Sequence, residues 1–549
     1  MRLLRFHFYK FPHFFQKVLD KPPEKCGASR PLINKVIRSG PAGADCLIGG
    51  IFMKPFNPGG HAAYQERVLS QLRKYYPDAA DSLPPSTWEI MEKFWNLDLS
   101  ELDPLMAGRY SDFGPAPRLP SDMLRSILLS VEFKVVSYTK WAADLKENHL
   151  HAILSGFYVG DTPGTGTFYD FQSRLWLSDK DNLSNPLHPP KEKPKKPDQK
   201  GQKAPPVEKV TVKGLFGLFE QQPPKDMEPC RLLYEIFSSL FLDHSVQDGL
   251  INLMDLALAG DGTPVYTAAK ERKKRTCKCL ENGIRDCRCN RLYSQPDCNF
   301  GWDSHRECYY FGYDLYMLTA SDSENDLPVF PFLGPASRHD SHGFLYNWFS
   351  MKQFLPQAAV TKLLLDSAHD AMPYYEYCLS HGIRPFIDLN ADRGRPPVYK
   401  GDFTINNDGV PVCRQGHTMR RDGTEPAKGR AKFKCPKISF ADGSVSCTCE
   451  DPCSNAKYGR TVHLVLKDNP RLFNDPPRGS AEWKLVYNAR TSAERCNKRE
   501  KVDYKLEDGR YRSSKMWYCR LFCIMMCQHL DAWALPETQT LRELFQQAA

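Results

Sequence analysis

Four chemically distinct side chains in the last quarter of the chain follow one another at helical intervals. They are Tyr487, Arg490, Glu494 and Lys501, at intervals of 3, 4 and 7 residues. At about 100° per residue in a helix, these side chains fall within a stripe of roughly 60°. One helix face is therefore predicted to carry an aromatic ring, a guanidinium, a carboxylate and an ammonium. Such a carboxylate is poorly placed as a general acid but well placed to hold a divalent metal beside a phosphodiester.

Two aspartates elsewhere in the chain each follow a short apolar run that is typical of a buried strand. Residues 256–260 precede Asp261, and residues 362–365 precede Asp366. Side chains at the ends of strands in an open sheet leave the core and converge. Together with Glu494 they would supply three carboxylates, the ligands that Mg²⁺ prefers. Two such ions about 4 Å apart can activate an attacking oxygen and stabilise a leaving oxygen in phosphoryl transfer.

The same residues also allow a purely structural interpretation. Asp261 and Asp366 could cap the ends of their strands, and Glu494 could be a surface partner in an ion pair. The helical stripe around Glu494 favours the metal site over this alternative. Without metal the three anions should repel one another, so that at least one carboxyl pKa should rise.

The elements that would position these residues are strands that give way to helices in the second half of the chain. Strands are predicted at residues 256–260, 309–319, 327–333, 362–365, 384–389 and 461–466, and the helix with Glu494 follows. Successive strands and then strand–helix alternation predict a mixed sheet flanked by helices. Residues 60–177 show helical periodicity, which predicts a compact all-helical domain.

The overall composition favours a soluble protein with a polyanionic partner. The chain has 549 residues and a net charge of +9. Its apolar runs are too short for a transmembrane helix, and basic residues interrupt the N-terminal stretch where a signal peptide would need an apolar core. We therefore expect a cytoplasmic protein without a membrane partner, and Met53 is an alternative start. Residues 178–213, with seven prolines and nine lysines, are predicted to be a solvated linker.

Two basic runs flank the proposed carboxylates. Lys273, Lys274 and Arg275 follow the first aspartate, and Lys498 and Lys501 follow the glutamate. Both runs suit the binding of DNA phosphates and predict a steep dependence of binding on salt.

Clustered cysteines in a chain expected to be cytoplasmic indicate metal binding rather than disulfides. The first window contains two thiol pairs that could close a tetrahedral Zn²⁺ site: Cys277, Cys279, Cys287 and Cys289. The second window offers a mixed set, with Cys449 or Cys453 as alternatives to its last member: Cys413, His417, Cys435 and Cys447. Both sites would be structural, and the second would supply stability to a region with few core residues.

With these positions in view, the chain resembles bacterial insertion-sequence transposases of the DDE type, in the group with the YREK signature. The helical stripe matches that signature's spacing without a gap. The segments beginning at Asp261 and Asp366 resemble the family's two aspartate blocks, and residues 334–341 resemble a block between them. Residues 118–176 are similar to its helical N-terminal domain.

The resemblance implies a ribonuclease-H-like core that cuts and joins DNA at the ends of its own insertion sequence. Asp261, Asp366 and Glu494 would hold Mg²⁺ or Mn²⁺, and the other residues of the stripe would contact the transposon-end backbone and a displaced base. Relatives cut DNA with water and then use the freed 3′ hydroxyl as the nucleophile, some through a hairpin intermediate. The implied partners are double-stranded DNA with inverted terminal repeats, target DNA and a second copy in a DNA-bound homodimer, at the bacterial nucleoid.

The resulting expectation is an α/β protein. It would have a ribonuclease-H-like mixed sheet core with flanking helices, an all-helical N-terminal domain and a β-rich Cys-containing insertion. The expected segments are a poorly ordered N-terminus (1–55), a helical DNA-binding domain (56–177), a linker (178–213), the first part of the catalytic core (214–389), the insertion (390–460) and the second part of the core with the Glu helix (461–549).

Two other functions fit parts of the sequence. A catalytically inactive or domesticated copy would bind DNA without cutting it, although all three acidic residues are present. A zinc-dependent hydrolase could use the cysteine windows, but these lack the expected His-Glu companion pattern. Metal-dependent nicking of DNA with inverted repeats would separate the three functions.

Overall fold

In a computed structural model of the protein, the described residues are 59–111, 115–183, 187–188, 210–269, 274–275, 277–287, 289, 291–292, 295–390, 402–441, 444–456, 458–534 and 540–547. The expected N-terminal segment 1–55, most of the expected linker and Lys273 lie outside these ranges. The side chains of Lys274 and Cys447 also lie outside the described residues.

Helices predominate among the described residues before β2, and strands and helices both occur after it. The strands are β1 (Leu187–His188), β2 (Leu256–Tyr266), β3 (Lys274–Arg275), β4 (Arg291–Leu292), β5 (Asn299–Asp303), β6 (Cys308–Ala320), β7 (Pro328–Pro335), β8 (Val360–Leu365), β9 (Arg384–Ile387), β10 (Phe403–Ile405), β11 (Pro411–Cys413), β12 (Arg420–Glu425), β13 (Arg430–Lys434), β14 (Ile438–Ala441), β15 (Ser444–Cys447) and β16 (Thr461–Val465). The α-helices are Gly60–Tyr75, Ala79–Ser82, Pro85–Asn96, Leu102–Met106, Pro120–Glu132, Tyr138–Glu147, His149–Ser155, Thr165–Leu175, Val212–Gln221, Arg231–Phe237, Asp243–Gln247, Asp340–Phe354, Met372–Ser380, Ala481–Asn488, Thr491–Lys498, Ser514–Ala532 and Leu541–Gln547. Among these helices, none has the length and apolar character needed to cross a bilayer.

A mixed sheet of six strands occupies the centre of the second half of the chain. The order across the sheet is β5, β6, β2, β8, β9, and β7 pairs with β6 as well. β6 runs antiparallel to β2, β5 and β7, whereas β8 runs parallel to β2 and β9. Helices pack against β2, β6 and β7, so the predicted mixed sheet flanked by helices is confirmed.

The N-terminal helices and the sheet share one apolar core. This core contains Val68 and Trp141 from the helices, Leu258 from β2 and Trp517 from the long helix Ser514–Ala532. The long helix contacts both an N-terminal helix and β7, because most of its side chains are buried and many of these are apolar. The described residues from 59 onwards therefore belong to a single compact unit.

The N-terminal helices also contact the helix Leu541–Gln547. The backbone N–H groups of Leu541 and Arg542 each donate to the Glu92 carboxylate at 2.9 Å. The ring of Phe545 meets the ring of Trp88 edge to face at 6.1 Å. These contacts cap the start of the helix with a buried carboxylate, which is favourable at a helix N-terminus.

The residues between β9 and the helix Ala481–Asn488 form small sheets with a core of their own. β12, β13 and β16 make one sheet, and β10–β11 and β14–β15 are separate hairpins. Met419, Phe433 and Leu464 are buried in this second core. Arg471 connects the region to the main sheet through an ion pair of 2.7 Å with the fully buried Asp370.

Candidate active site

Asp261 lies on β2 and Asp366 directly follows β8, the adjacent parallel strand, at the same end of the central sheet. The register of β2 and β8 pairs Ala259 with Leu364, so each aspartate stands two residues beyond that pair. Neighbouring strands are about 4.8 Å apart. The chain therefore brings these two carboxylates close to each other from positions far apart in sequence.

β2 does not end at Gly260, as the sequence predicted, but continues through Asp261 to Tyr266. The extension pairs with β6, where Asp261 lies opposite Met317. Only the pairing with β8 stops before the aspartate, because β8 ends at Leu365. Asp261 is therefore held by a paired strand that is open on one side, rather than by a loop.

A chain of hydrogen bonds orients Asp366. Its Oδ1 lies 2.6 Å from Nδ1 of His369, and Nε2 of His369 lies 3.0 Å from the Tyr316 hydroxyl. Gly260 makes room for these hydrogen-bonded side chains, since a Cβ there would lie 2.7 Å from the Tyr316 oxygen and 2.9 Å from Leu365. His369, with 1% of its surface exposed, thus fixes the second aspartate from the protein interior.

Asp366 is stabilised in its ionised form. Burial favours a higher pKa, but the His369 hydrogen bond and the charges of His369 and Arg490 hold the pKa of Asp366 below its usual value. The backbone N–H of Ala368 adds a further hydrogen bond to this carboxylate at 3.2 Å. Asp366 therefore carries its negative charge at neutral pH.

Asp261 has the opposite electrostatic character. Burial raises the pKa of Asp261 to about 7; the Arg490 guanidinium opposes the rise, and the carboxylates of Asp366, Glu494 and Asp340 add to it. The pKa of Asp261 therefore rises mainly because of burial, and the neighbouring carboxylates add the repulsion that the sequence analysis expected. This site would gain from a bound cation.

Arg490 links Glu494 to Asp261. Its Nη2 lies 2.5 Å from Glu494 Oε1, and its Nη1 lies 3.8 Å from Asp261 Oδ1. Asn497 donates from Nδ2 to Asp261 Oδ2 at 3.3 Å, and the helix Thr491–Lys498 packs on β2 and β6. The Glu494 side chain is 49% exposed, so its carboxylate remains open to a ligand.

The single helix predicted for the four-residue stripe is divided, so that prediction was wrong. Tyr487 belongs to the helix Ala481–Asn488, and Glu494 to the separate helix Thr491–Lys498. Lys501 lies in a π-helical turn that follows. The spacing of the stripe is helical, but it does not reveal where the hydrogen bonding of the helix changes.

Tyr487 and Lys501 are both engaged by neighbouring residues. The Tyr487 ring is partly exposed and stacks on Trp483, with centroids 4.5 Å apart and an angle of 18° between the planes. Lys501 Nζ donates to the carbonyl of Pro264 at 2.6 Å and lies 3.4 Å from the Glu507 carboxylate. Lys501 thus contacts β2 three residues beyond Asp261.

Two acidic residues that the sequence analysis did not assign to the site lie against Gly262. A Cβ on Gly262 would lie 2.9 Å from Asp340 Oδ1 and 3.3 Å from Asp314 Oδ1. Burial and the neighbouring Asp340 carboxyl raise the pKa of Asp314 well above its usual value. The sequence signal that could have revealed Asp314 is an acidic residue inside an otherwise aromatic and apolar strand.

The proposed DNA-contacting cations differ in their surroundings. Lys498 is exposed on the helix that carries Glu494. Arg275 instead donates to the backbone carbonyls of Ile284, at 3.3 Å, and Arg285. The structure therefore gives Arg275 a role in holding the first cysteine loop.

The first cysteine window forms a compact group of sulfurs. The four Sγ atoms of Cys277, Cys279, Cys287 and Cys289 lie within 4.8 Å of one another. The separations are 3.5 Å for Cys277–Cys287 and 3.6 Å for Cys279–Cys289, near the roughly 3.8 Å that a tetrahedral Zn²⁺ site with 2.3 Å bonds requires. Hydrogen bonds from the Cys279 backbone N–H and from Cys287 lower the pKa of Cys277 to about 6, which favours the thiolate. The group could hold a metal ion.

The second cysteine window is less complete within the described residues. Cys413 lies in the apolar core of the small sheets with Cys453 packed against it, and Cys435 is also buried. The backbone N–H of Cys413 donates to the carbonyl of His417 at 3.0 Å. In the described part of the chain, the first window is the one group of three or more His, Cys, Asp or Glu residues whose ligand atoms all lie within 4.8 Å of one another. Zinc at the second window stays a prediction.

No family model matches the chain, and no curated protein sequence matches it. Function is therefore inferred from the geometry and chemistry of the site.

Proposed function

We propose that the protein is a DDE-type transposase that cuts and joins DNA at the ends of its own insertion sequence. One observation supports this most strongly. Asp261 and Asp366 occupy equivalent positions on adjacent parallel strands, and Arg490 connects Glu494 to the same place. The mixed sheet is compatible with the ribonuclease-H-like core that the sequence resemblance implies.

The proposed cofactor is Mg²⁺ or Mn²⁺, because the chemistry of the donor atoms favours it. Asp261, Asp366 and Glu494 offer hard oxygen ligands, and a cation would offset the burial and repulsion that raise the pKa of Asp261. When bound, paired ions lower the pKa of the attacking hydroxyl and stabilise the leaving oxygen.

The remaining residues of the site bind and orient DNA. Lys498 ends the Glu494 helix and Lys501 lies in the turn that follows, where their charges attract the phosphates next to the scissile bond. The partly exposed Tyr487 ring, supported by Trp483, offers a face on which a displaced base stacks. Arg490 holds Glu494 and Asp261 in the DNA-free protein and is close enough to exchange one of these partners for a phosphate.

The proposed reaction has two phosphoryl transfers. Water first attacks the phosphodiester at a transposon end, one P–O bond forms and one breaks, and a 3′ hydroxyl is released. That hydroxyl then attacks a phosphodiester of the target DNA, and again one P–O bond forms and one breaks. The partners are DNA with inverted terminal repeats, target DNA and a second copy of the chain.

The four-cysteine group is proposed to hold one structural Zn²⁺. The ion would fix the loop between β3 and β4, which Arg275 already holds through two backbone carbonyls. Because β3 follows the strand of Asp261, this loop would keep a basic segment next to the active site.

A nicking assay tests the catalytic proposal. The substrate is duplex DNA with the inverted repeats that bound the reading frame, incubated with Mg²⁺ or Mn²⁺. Asp261→Asn and Asp366→Asn should abolish cutting but retain DNA binding. Asp255→Asn is the matched control, because Asp255 is exposed just before β2, at the end away from the site. Cutting by either site variant would refute the proposal, and DNA binding without cutting by the wild type would favour the inactive or domesticated alternative.

A further inference from the structure

The turn that follows β8 connects Asp366 to a second aspartate, Asp370. Residues Ser367–His369 form a single 3₁₀ turn directly after Asp366. The backbone N–H of His369 donates to the carbonyl of Asp366, and that of Asp370 to the carbonyl of Ser367, both at 3.2 Å. Because the segment between the two aspartates is one tight turn, a displacement of Asp370 also moves Asp366.

Asp370 is held from several directions in the protein interior. None of its surface is exposed. The Tyr375 hydroxyl donates to Oδ1 at 2.9 Å, and the backbone N–H of Asn390 donates to Oδ2 at 2.8 Å. Arg471 donates from Nε to Oδ1 at 2.8 Å and from Nη2 to Oδ2 at 2.7 Å. Such two-pronged pairs of arginine and carboxylate are strong and directional, so the guanidinium fixes where Asp370 lies.

Arg471 belongs to a part of the chain that is remote from β8 in sequence. It follows β16, and the next two residues, Leu472 and Phe473, are buried in the core of the small sheets. The backbone that carries the guanidinium is therefore anchored in the β-rich region. The position of Asp370 depends on that region as well as on the central sheet.

A second arginine of the same segment supports this connection. Arg478 is 5% exposed, and it donates from Nη2 to the Tyr375 hydroxyl at 3.0 Å and from Nε to the carbonyl of Ile387 at 3.1 Å. Tyr375 in turn donates to Asp370. Both arginines thus act on the same buried carboxylate, one directly and one through a tyrosine.

The turn after β8 is consequently fixed from two sides. His369 connects the Asp366 carboxylate to Tyr316 on β6, which orients the side chain. Asp370 connects the backbone of the same turn to Arg471. Loss of the second connection would leave the carboxylate oriented on a backbone that is free to shift.

We propose that Arg471 is a positioning residue for Asp366 and acts through Asp370. The β-rich region thereby sets the distance at which Asp366 faces Asp261. Loss of a group that holds a metal ligand in place typically costs about 10- to 100-fold in metal affinity or activity. The role of Asp366 as a Mg²⁺ ligand rests on the proposed function, whereas the coupling of Arg471 to the turn does not.

Hydrogen exchange on the full, metal-free chain tests this coupling. Arg471→Met should speed exchange of the backbone amides of residues 366–371 by about 10- to 100-fold, because the lost hydrogen bonds are to a charged group. Arg67→Met is the matched control, because the Arg67 side chain is also 17% exposed and pairs at 2.9 Å with another buried carboxylate, that of Asp122. The control should leave exchange in the turn unchanged, so a general loss of stability is not mistaken for release of the turn.

Arg471→Lys separates positioning from stability. Lysine keeps a positive charge beside Asp370 but offers one nitrogen in place of the planar fork. This variant should therefore keep most of the stability of the wild type, while its turn still exchanges faster.

Calorimetric titration with Mg²⁺ measures the consequence for the site. Arg471→Met should bind Mg²⁺ about 10- to 100-fold more weakly than the wild type, and Arg67→Met should bind it equally well. Asp366→Asn, which removes the ligand itself, identifies the part of the signal that belongs to this site.

Exchange in the turn that is no faster in the Arg471 variants than in Arg67→Met would overturn the proposal. Faster exchange with unchanged Mg²⁺ affinity would also overturn it, because Asp366 would then not depend on the turn. If Arg471→Met does not fold, Arg471→Lys decides the outcome alone. A wild type that binds no Mg²⁺ would refute the metal site of the proposed function, and the exchange comparison would still decide this proposal.

Discussion

Asp261→Asn is expected to stabilise the metal-free protein increasingly as pH rises, while it abolishes DNA cutting. Burial and neighbouring carboxylates raise the pKa of Asp261 from 3.8 to about 7. Between these values the folded protein keeps a proton that the unfolded chain has released. The stability of the wild type therefore falls as pH rises through this range, and the loss is complete above pH 7.

The size of the effect follows from that shift. A change of about 3 pKa units at 1.36 kcal/mol per unit gives about 4 kcal/mol at pH 8. At pH 5 the loss is only about 2 kcal/mol, because pH 5 lies little more than one unit above the pKa of this carboxyl in the unfolded chain. The unfolding entropy is roughly 2.1 cal/mol/K per residue, so in a unit of about 500 residues each kcal/mol of added stability raises the melting temperature by about 1 °C. The variant should thus melt up to about 2 °C higher at pH 5 and 4 °C higher at pH 8.

Thermal unfolding at both pH values in a metal chelator measures this difference. The exposed Asp255→Asn serves as the control and should show no such gain at pH 8. Added Mg²⁺ should raise the melting temperature of the wild type more than that of Asp261→Asn, because ligand binding stabilises only the form that binds. An equal shift at pH 5 and pH 8, or a variant that melts lower at pH 8, would refute the reasoning.

Three further predictions concern the metal loop and two arginines. Elemental analysis should find about one Zn²⁺ bound to the first cysteine window, lost in Cys277→Ser and kept in Cys308→Ser; zinc retained by Cys277→Ser would exclude this site. Arg490→Gln removes the cation beside the aspartates, so the acidic limb of the pH–rate profile for cutting should move up by about one unit, and an unchanged profile would contradict the role of Arg490. Arg471→Met removes the guanidinium that forms an ion pair with the buried Asp370 carboxylate, which should cost about 3–5 kcal/mol of stability in an unfolding titration; an unchanged midpoint would show that the pair contributes nothing.

The strands at the site could be predicted because their signal is local. Residues 362–365 are largely apolar and end at Asp366, and the structure places β8 there. The sequence predicted a mixed sheet with an aspartate at the end of each of these strands. It did not predict that β2 and β8 are neighbours and parallel, because β5, β6 and β7 of the same sheet lie between them in the sequence.

The other carboxylates of the site depend on register, which the sequence does not specify. Asp314 lies near Gly262 because β6 pairs Asp314 with Pro264, and a shift of one residue would turn its side chain to the other face. Asp340 reaches the same place because it begins the helix that packs on β6. The division of the predicted helix at Arg490 likewise depends on packing rather than on periodicity.

The helix Leu541–Gln547 closes over a region that the ribosome makes much earlier. Glu92 and Trp88 leave the ribosome long before Leu541 and Phe545, their partners in the finished protein. Until residues 541–547 have been made, the growing polypeptide therefore presents an incomplete apolar surface and a carboxylate without its two N–H donors. Chaperones recognise such surfaces, so this part of the protein matures only after residues 541–547 have left the ribosome.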